Sequence, residues 1–339
     1  MRKKEVQSMF ELLKEGQQFC PCVWDCYSVK AAQAAGFRSV LLSGAAVSAS
    51  TIGAPDLGIM TVDELLWVTE RVAAFADVPV LVDFDEGYGD SPLQVYHNVE
   101  RLVRAGAKGF TLDDGMGIRG WQRLDYARRH GGGRAYEVFP TEHWLAKIKA
   151  ALAALEGTDC LLIARTECRP NDGLEEAIER CARAADLGAP MTLINRMYNI
   201  EECRQVARRL PGWKMYPDVV SNKGVPEVEL EDIDRLGFSL VTMHYLEKGA
   251  MWGMMDYGKH NFANRNTIYS TEHDMGGMTP EEMVRCRSMD PESAWLEMER
   301  EFYQAGQRSP VPPRHGALPA GASAAAGGPA GPSGGLPPR

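Results

Sequence analysis

Carboxylates gather at the ends of apolar runs in this chain. The run VLVDFDEGYGD places Asp83 and Asp85 two positions apart, and alternate residues of a strand face the same side. The run FTLDDG adds Asp113 and Asp114, and the turn GAPD contributes Asp56. These carboxylates would repel one another unless a cation neutralised them. A site with oxygen ligands alone favours Mg2+ or Mn2+ over zinc. The sequence therefore predicts a divalent-metal site.

A positive charge ends another apolar run, CLLIAR, at Arg165. A buried guanidinium needs an anion, and its fork of N–H groups matches a carboxylate. That anion is either an internal carboxylate or the carboxylate of a substrate. We expect contact with a substrate.

The elements that position these residues follow from the hydrophobic pattern. We predict β-strands at Phe19–Trp24, Ser39–Ser43, Pro79–Asp83, Gly109–Asp113, Cys160–Arg165, Met191–Asn195, Trp213–Tyr216 and Ser239–Met243. Amphipathic helical runs separate them, and several end at glycine, which is a usual helix stop signal. Eight strand–helix units in about 250 residues imply a (β/α)8 TIM barrel of the α/β class. A doubly wound open sheet is the alternative, although no GxGxxG turn follows the first strand.

In such a barrel, function lies at the carboxyl ends of the strands. Besides the acids and Arg165, these ends place Asp25 after the first strand and Ser43 after the second. Asn195 follows the sixth strand, and His244 follows the eighth.

Composition excludes several classes of protein. The chain has 339 residues, of which 45% are hydrophobic and 24% charged, so disorder over its whole length is excluded. A net charge of −9 argues against a general nucleic-acid binder. No apolar run reaches the roughly 18 residues of a membrane span, and the charged N-terminus does not resemble a signal peptide. We expect a cytoplasmic protein whose 8 cysteines are free thiols, mostly buried.

The C-terminal region differs in composition from the rest. Residues 306–339 are rich in Pro, Gly and Ala, and we expect a disordered tail there after one domain over residues 1–305. Residues 248–304, which follow the eighth strand, form a segment longer than a single barrel helix. They either pack in the monomer core or form a helical extension that packs on a neighbouring subunit.

Several motifs together carry a family resemblance. The segment from Trp24 to Ser28 and the motifs SGAAVSASTIGAPD, VDFDEGYGD, FTLDDG and LLIARTE occur in order, followed by LEEAIERCARAADLGA. Over about residues 5–245 the chain resembles the isocitrate lyase/phosphoenolpyruvate mutase superfamily. The resemblance implies a barrel whose last helix is swapped between subunits, usually in a homotetramer built as a dimer of dimers. It also implies Mg2+ and an enolate made from a small 2-oxo or 2-hydroxy acid.

The resemblance also implies residue roles. Asp83 would bind Mg2+ (or Mn2+) directly, while Asp56, Asp85 and Asp113 would act mostly through water. Ser43, Gly44 and Arg165 would hold the substrate carboxylate and oxyanion. The substrate-binding candidates are Trp24, Asp25, Ser43, Gly44, Ala45, Arg165, Asn195 and His244. The catalytic candidates are Arg165, Asp114, Tyr126 and His130.

The sequence departs from the family pattern in its loop after the fourth strand. The family's C–C lyases carry a catalytic Cys in this loop, and its phosphonate enzymes carry a Lys. Here the loop reads GMGIRGWQRLDYARRHGGGRAYEVFP, with neither residue. Its five arginines suit a lid over an anionic substrate, and Tyr126 or His130 is a candidate for the missing acid. Asn195 also stands where the family has Glu or His.

We therefore predict a Mg2+-dependent lyase. It would cleave or form a C–C bond, or decarboxylate, next to the carboxylate of a small 2-oxo or 2-hydroxy acid. One alternative is a P–C bond enzyme of the phosphoenolpyruvate mutase or phosphonopyruvate hydrolase type, which Glu167 after Arg165-Thr166 favours. Another is a catalytically silent barrel that binds a metabolite and scaffolds a complex. The expected partners are a small anionic carboxylate or phosphonate and copies of the same chain.

Overall fold

A computed structural model describes residues 6–116, 125, 128–129, 137–222, 225–269 and 292–306. The chain divides into two units, Met1–Met289 and Asp290–Arg339. The catalytic candidates Tyr126 and His130 lie outside the described residues, as do the tail beyond residue 306 and most of the predicted lid. The predicted domain boundary at residue 305 stays a prediction.

Eight parallel strands form a closed barrel, which confirms the predicted fold. In chain order the strands are β1 Gln18–Val23, β2 Val40–Leu42, β3 Val80–Asp83, β4 Gly109–Leu112, β5 Leu161–Thr166, β6 Met191–Ile194, β7 Trp213–Tyr216 and β8 Phe238–Met243. Each pairs with its neighbour in sequence, and β8 closes the barrel against β1. The predicted strands agree with these bounds to within two residues. A short antiparallel ribbon, Ser221–Asn222 with Val225–Pro226, follows β7.

Helices follow most of the strands. Their bounds are α1 Met9–Glu15, α2 Cys26–Ala34, α3 Gly44–Val47, α4 Val62–Phe75, α5 Pro92–Arg104, α6 Thr141–Ala154, α7 Arg169–Asp186, α8 Ile200–Arg209, α9 Leu230–Arg235, α10 Leu246–Asn264 and, in the second unit, α11 Glu292–Gly306. A π-helical turn, Ser48–Ile52, continues α3. Side-chain caps fix several helix starts, because Thr61 and Ser91 each accept the backbone N–H three residues on.

The barrel interior is apolar at its amino-terminal end. Leu81, Leu161 and Leu240 pack inside the barrel against Met9 and Leu12 of α1, and all five are at most 1% exposed. Helix α1 therefore plugs this end of the barrel. Polar chemistry is left to the opposite end, where the strands terminate.

Helix α10 differs from the other barrel helices because it has no buried residue. Met251, Trp252, Met254 and Phe262 are all more than half exposed. Core packing within this unit, one of the two expectations for the segment, does not account for these side chains. Among the described residues, no helix is both long and apolar enough to cross a membrane.

A buried ion pair ties the end of β4 to α7. Asp114, which is fully buried, accepts hydrogen bonds from Arg180 Nη1 at 3.0 Å, Thr166 Oγ1 at 2.6 Å and the backbone N–H of Glu167 at 2.7 Å. Arg180 also donates to the Phe139 carbonyl at 2.9 Å. Burial raises the pKa of Asp114 to about 6, against the hydrogen bonds and Arg180, which lower it.

This ion pair predicts a large, pH-dependent cost of truncation. Arg180→Ala leaves the Asp114 carboxylate buried without its cation, and we expect a loss of about 3–5 kcal/mol in the free energy of unfolding at pH 8. Without Arg180 the pKa of Asp114 rises further, so protonation at pH 5 relieves part of the cost. Urea denaturation at both pH values measures the effect.

Arg209→Ala is the matched control, since Arg209 pairs with Glu175 on the surface. It should cost about 1 kcal/mol or less at either pH. Equal losses for the two variants would contradict the structural role given to the buried pair.

Candidate active site at the carboxyl ends of the barrel strands

Arg165 is the centre of the charged network at the barrel mouth. Its Nη1 donates to Asp83 Oδ1 at 3.1 Å, while its Nε and Nη2 donate to Glu167 Oε1 at 2.6 and 2.5 Å. Burial lowers the pKa of Arg165, but Glu167, Asp83 and Asp113 raise it by more, so the net shift is upward. Strands β3 and β5 are separated by β4, and the guanidinium joins their ends across it.

Glu167 was not among the sequence-predicted site residues, although it lies beneath this network. Its side chain is 1% exposed, and both of its carboxylate oxygens accept from Asn195 Nδ2 at 2.8 Å. Asn195 therefore orients Glu167, and Glu167 orients Arg165. The signal available in the sequence is its spacing from Arg165, because residues i and i+2 at a strand end point the same way, although this spacing does not name the partner of Arg165.

Asp83 lies where the network meets the open mouth. Its Oδ1 also accepts from Thr111 Oγ1 at 2.8 Å. Gly44 borders it closely, because a Cβ atom there would lie 3.8 Å from both the Asp83 carbonyl oxygen and Asp85 Oδ2. Asp85 adopts a left-handed backbone with φ +46°, and its carbonyl accepts the Asp113 N–H at 2.8 Å. The structure thus brings Gly44, Asp83, Asp85 and Asp113 together.

Asp113 is buried and Asp56 is exposed. Burial raises the pKa of Asp113 well above its usual range, and Glu167 and Asp85 raise it further, while Arg165 opposes them. Asp56 lines a cleft beside Asp85, with Ser48, Met60, Glu86 and Tyr88 among its other walls. Asp56 and Asp85 therefore face a shared space, and their expected role at a metal stays a prediction.

The donor set at this cleft suits a hard cation. The acids offer only oxygen, and Mg2+ commonly keeps several waters while binding one or two carboxylates. Within the part of the chain that the structure describes, no three His, Cys, Asp or Glu side chains form a direct metal cage. The roles expected for Asp83 as the direct ligand, and for Asp56, Asp85 and Asp113 through water, stay predictions. The oxygen donors present fit a hard cation such as Mg2+ or Mn2+.

Two predicted substrate ligands form helix caps in the structure. Asp25 caps α2, with Oδ1 accepting the Ser28 N–H at 2.8 Å, and Ser28 Oγ accepts the N–H of Trp24 at 2.9 Å. Ser43 caps α3 by accepting the Ala46 N–H at 3.3 Å. Ala45 is exposed. Their contact with a substrate stays a prediction.

Asp114 lies behind the mouth in the Arg180 pair described above, with Thr166 and Glu167 occupying its oxygens. Its predicted catalytic role is untested, and this setting suits a positioning role. Directly after Asp114 in the chain, Gly115 forms an isolated antiparallel β-bridge with Val138, and the Met116 N–H donates to the Glu137 carbonyl at 3.0 Å. The two ends of the predicted lid therefore meet at the mouth.

His244 lies after β8, on the opposite side of the barrel from β4. Its backbone N–H donates to Asp218 Oδ1 at 2.8 Å, and its ring Nδ1 pairs with Asp218 Oδ2. The hydrogen bond to Asp218 raises the pKa of His244, and Asp83 and Glu247 add to this against burial. Asp218 was not predicted as a site residue, because it follows the end of β7 in a segment without a recognisable motif.

Comparison with known proteins identifies the family. Residues 10–258 match the family described as phosphoenolpyruvate phosphomutase. The chain belongs to this family. It is 30% identical over 301 residues to the petal death protein of Dianthus caryophyllus, covering 87% of this chain and 88% of that protein. It is 34% identical to 2-methylisocitrate lyase of Escherichia coli (strain K12) over 52% of this chain and 56% of that enzyme.

A solved structure of 2,3-dimethylmalate lyase, described as a member of the PEP mutase/isocitrate lyase superfamily, is also similar. It shares 25% identity with a TM-score of 0.70, covering 89% of this chain and 96% of that one. These matches confirm the predicted superfamily and the prediction that the protein is an enzyme related to its lyases.

The site predicts that metal binding depends on Asp83. Asp83→Ala removes the carboxylate that the family resemblance implies as the direct metal ligand, and we expect saturable binding of Mn2+ to be lost in calorimetry. Asp159→Ala is the control, since Asp159 pairs with Lys108 at 2.9 Å on the surface. Unchanged Mn2+ binding in Asp83→Ala would place any metal elsewhere.

Proposed function

We propose that the protein is a Mg2+-dependent lyase acting next to the carboxylate of a small 2-oxo or 2-hydroxy acid, through an enolate. The observation that carries this proposal is the 3.1 Å approach of Arg165 to Asp83 at the barrel mouth. One cation and one metal-binding carboxylate side by side suit an anionic substrate that bridges them. The relatives named above include lyases of 2-methylisocitrate and of 2,3-dimethylmalate, which are hydroxy carboxylic acids.

In this proposal Arg165 binds the substrate carboxylate through its Nη atoms, and Glu167 with Asn195 fixes the guanidinium plane. Mg2+, when bound, stabilises the negative charge that develops on the enolate oxygen. Gly44 borders Asp83 and Asp85 and leaves room for the substrate, because glycine has no side chain there. Ser43, which precedes it, is expected to contact the substrate carboxylate. The lid arginines, only some of which are described, would exclude water from the anion.

A second candidate is a P–C bond enzyme. It is supported by the description of the matched family as phosphoenolpyruvate phosphomutase and by the buried Glu167 under Arg165. A phosphonate would use the same Arg165 and metal, so the two chemistries are separated by the substrate that is turned over.

A substrate panel separates them. Oxaloacetate, malate, 2-methylisocitrate, 2,3-dimethylmalate and phosphonopyruvate are each tested with Mg2+ and with excess EDTA. We expect turnover of a carboxylic acid that EDTA abolishes. Arg165→Lys should lower kcat/KM by roughly 100-fold, because an ammonium does not reproduce the guanidinium fork, which Glu167 and Asp83 hold in place.

Arg209→Lys, remote from the mouth, is the control and should leave kcat/KM unchanged. Turnover of phosphonopyruvate alone would favour P–C chemistry. Binding of acids without any turnover would favour a silent scaffold, and full activity in EDTA would exclude the metal mechanism.

We also propose that α10 packs on another copy of the chain, in a homotetramer built as a dimer of dimers with exchanged helices. The support is the apolar surface of α10, where Trp252 is 71% and Met254 64% exposed. An apolar patch of this kind usually marks an interface.

Charge on this surface should disrupt the assembly. Trp252→Glu combined with Met255→Glu should lower the molar mass measured by light scattering, because two carboxylates would be desolvated in the interface. Leu93→Glu on α5 is the control, since Leu93 is 81% exposed on a different helix. An unchanged mass in the double variant would remove α10 from the interface.

A further inference from the structure

The chemistry proposed above needs a proton donor. Breaking a carbon–carbon bond next to an oxo group leaves the electron pair on one carbon, as an enolate. That carbon must take a proton to become the product. The lid sequence holds neither Cys nor Lys, which leaves its Tyr126 and His130 and the titratable groups at the strand ends as candidate donors.

His244 is held for such a role by both oxygens of one carboxylate. Asp218 Oδ1 accepts the His244 backbone N–H at 2.8 Å, and Oδ2 accepts from the ring Nδ1. A carboxylate that engages the backbone and the ring of the same residue fixes the ring plane. With Nδ1 occupied, Nε2 is the ring atom left for a ligand, and among the described residues no hydrogen bond uses it.

The position of the pair is as informative as its geometry. Asp218 follows β7 and His244 follows β8, so both lie at the same end of the barrel as Asp83 and Arg165. Asp83 is close enough to influence the pKa of His244, and both Asp83 and Asp218 influence that of Cys22 on β1. The dyad and Asp83 are therefore within electrostatic range of each other at the same end of the barrel. The His244 side chain is 47% exposed, which leaves it open to solvent and to a ligand.

We propose that His244, positioned by Asp218, is the general acid that protonates the enolate carbon from the rim opposite β4. This inference rests on the proposed lyase function. In the step, the Nε2–H bond breaks as the new C–H bond forms, and the electron pair of the enolate becomes that C–H bond. The neutral ring then takes a proton from water, so charge and atoms balance over one turnover.

The charges around the ring favour the protonated form. Asp218, Asp83 and Glu247 all raise the pKa of His244, and burial is the one opposing influence. An acid of this kind works below its pKa, so activity should fall as pH rises through that value. Asp218→Asn removes the largest of these influences and should move the alkaline limb of the kcat profile to lower pH.

The test uses the full-length enzyme with Mg2+ and the acid that it turns over, followed from pH 5 to 9. His244→Gln should lower kcat by roughly 100-fold or more with KM nearly unchanged, and should erase the alkaline limb. His244→Ala should recover part of its kcat with added imidazole, which a purely structural role would not allow. His97→Gln, at an exposed histidine on α5, is the control and should match the wild type.

Three outcomes overturn the proposal. If His244→Gln keeps the kcat and the pH profile of the wild type, the dyad is not the acid. If His130→Gln in the lid shows the whole loss of kcat instead, the acid belongs to the loop. If the wild type turns over no acid of the panel, the proposed function fails, and the assignment of His244 falls with it. The first two results leave the lyase function standing, so the two failures are distinguishable.

Discussion

The ion pairs of Arg165 are the interaction on which the barrel mouth depends. A guanidinium between Asp83 and Glu167 neutralises carboxylates that would otherwise repel each other in a poorly solvated space. Glu167 is almost fully buried, and a buried carboxylate is strongly destabilising without a paired cation. Arg165 is therefore required by Glu167 even when no substrate is bound. The same contacts set the angle of Asp83 and so the place where a metal can bind. In the proposed function, substrate binding, metal binding and local stability would all depend on this one charge balance.

A second charged layer supports the first. The pair of Asp114 and Arg180 lies behind the mouth, and Asp114 holds the backbone N–H of Glu167 at 2.7 Å. Thr166, between Arg165 and Glu167 in sequence, points to this inner layer rather than to the mouth. Along the end of β5, the side chains of Arg165 and Glu167 therefore belong to the mouth, and the side chain of Thr166 between them contacts the inner layer. A disturbance of the inner pair would reach the substrate site through one hydrogen bond.

Much of this architecture follows from sequence because the strands obey a simple pattern. Buried apolar runs that end in polar residues predict both the strands and their functional ends, as at Asp83 and Arg165. Glu167 and Asp218 escape prediction for different reasons. Glu167 is a partner of Arg165, and spacing alone does not say which anion a cation chooses. Asp218 meets His244 only through closure of β7 on β8, a contact 26 residues apart in the chain. Likewise, helix caps and ligands share the same residue types, so Asp25 and Ser43 fit both roles.

The burial of the thiols gives this barrel a form of protection against oxidants. Of the seven described cysteines, all are free and six are buried, with Cys26 the partly accessible one. Burial raises the pKa of Cys20 and Cys160 to about 12, which leaves almost no thiolate to react. Electrophiles therefore reach these sulfur atoms only when a sector of the barrel opens. Oxidation of these six buried thiols is in this way limited by the rate at which the barrel opens.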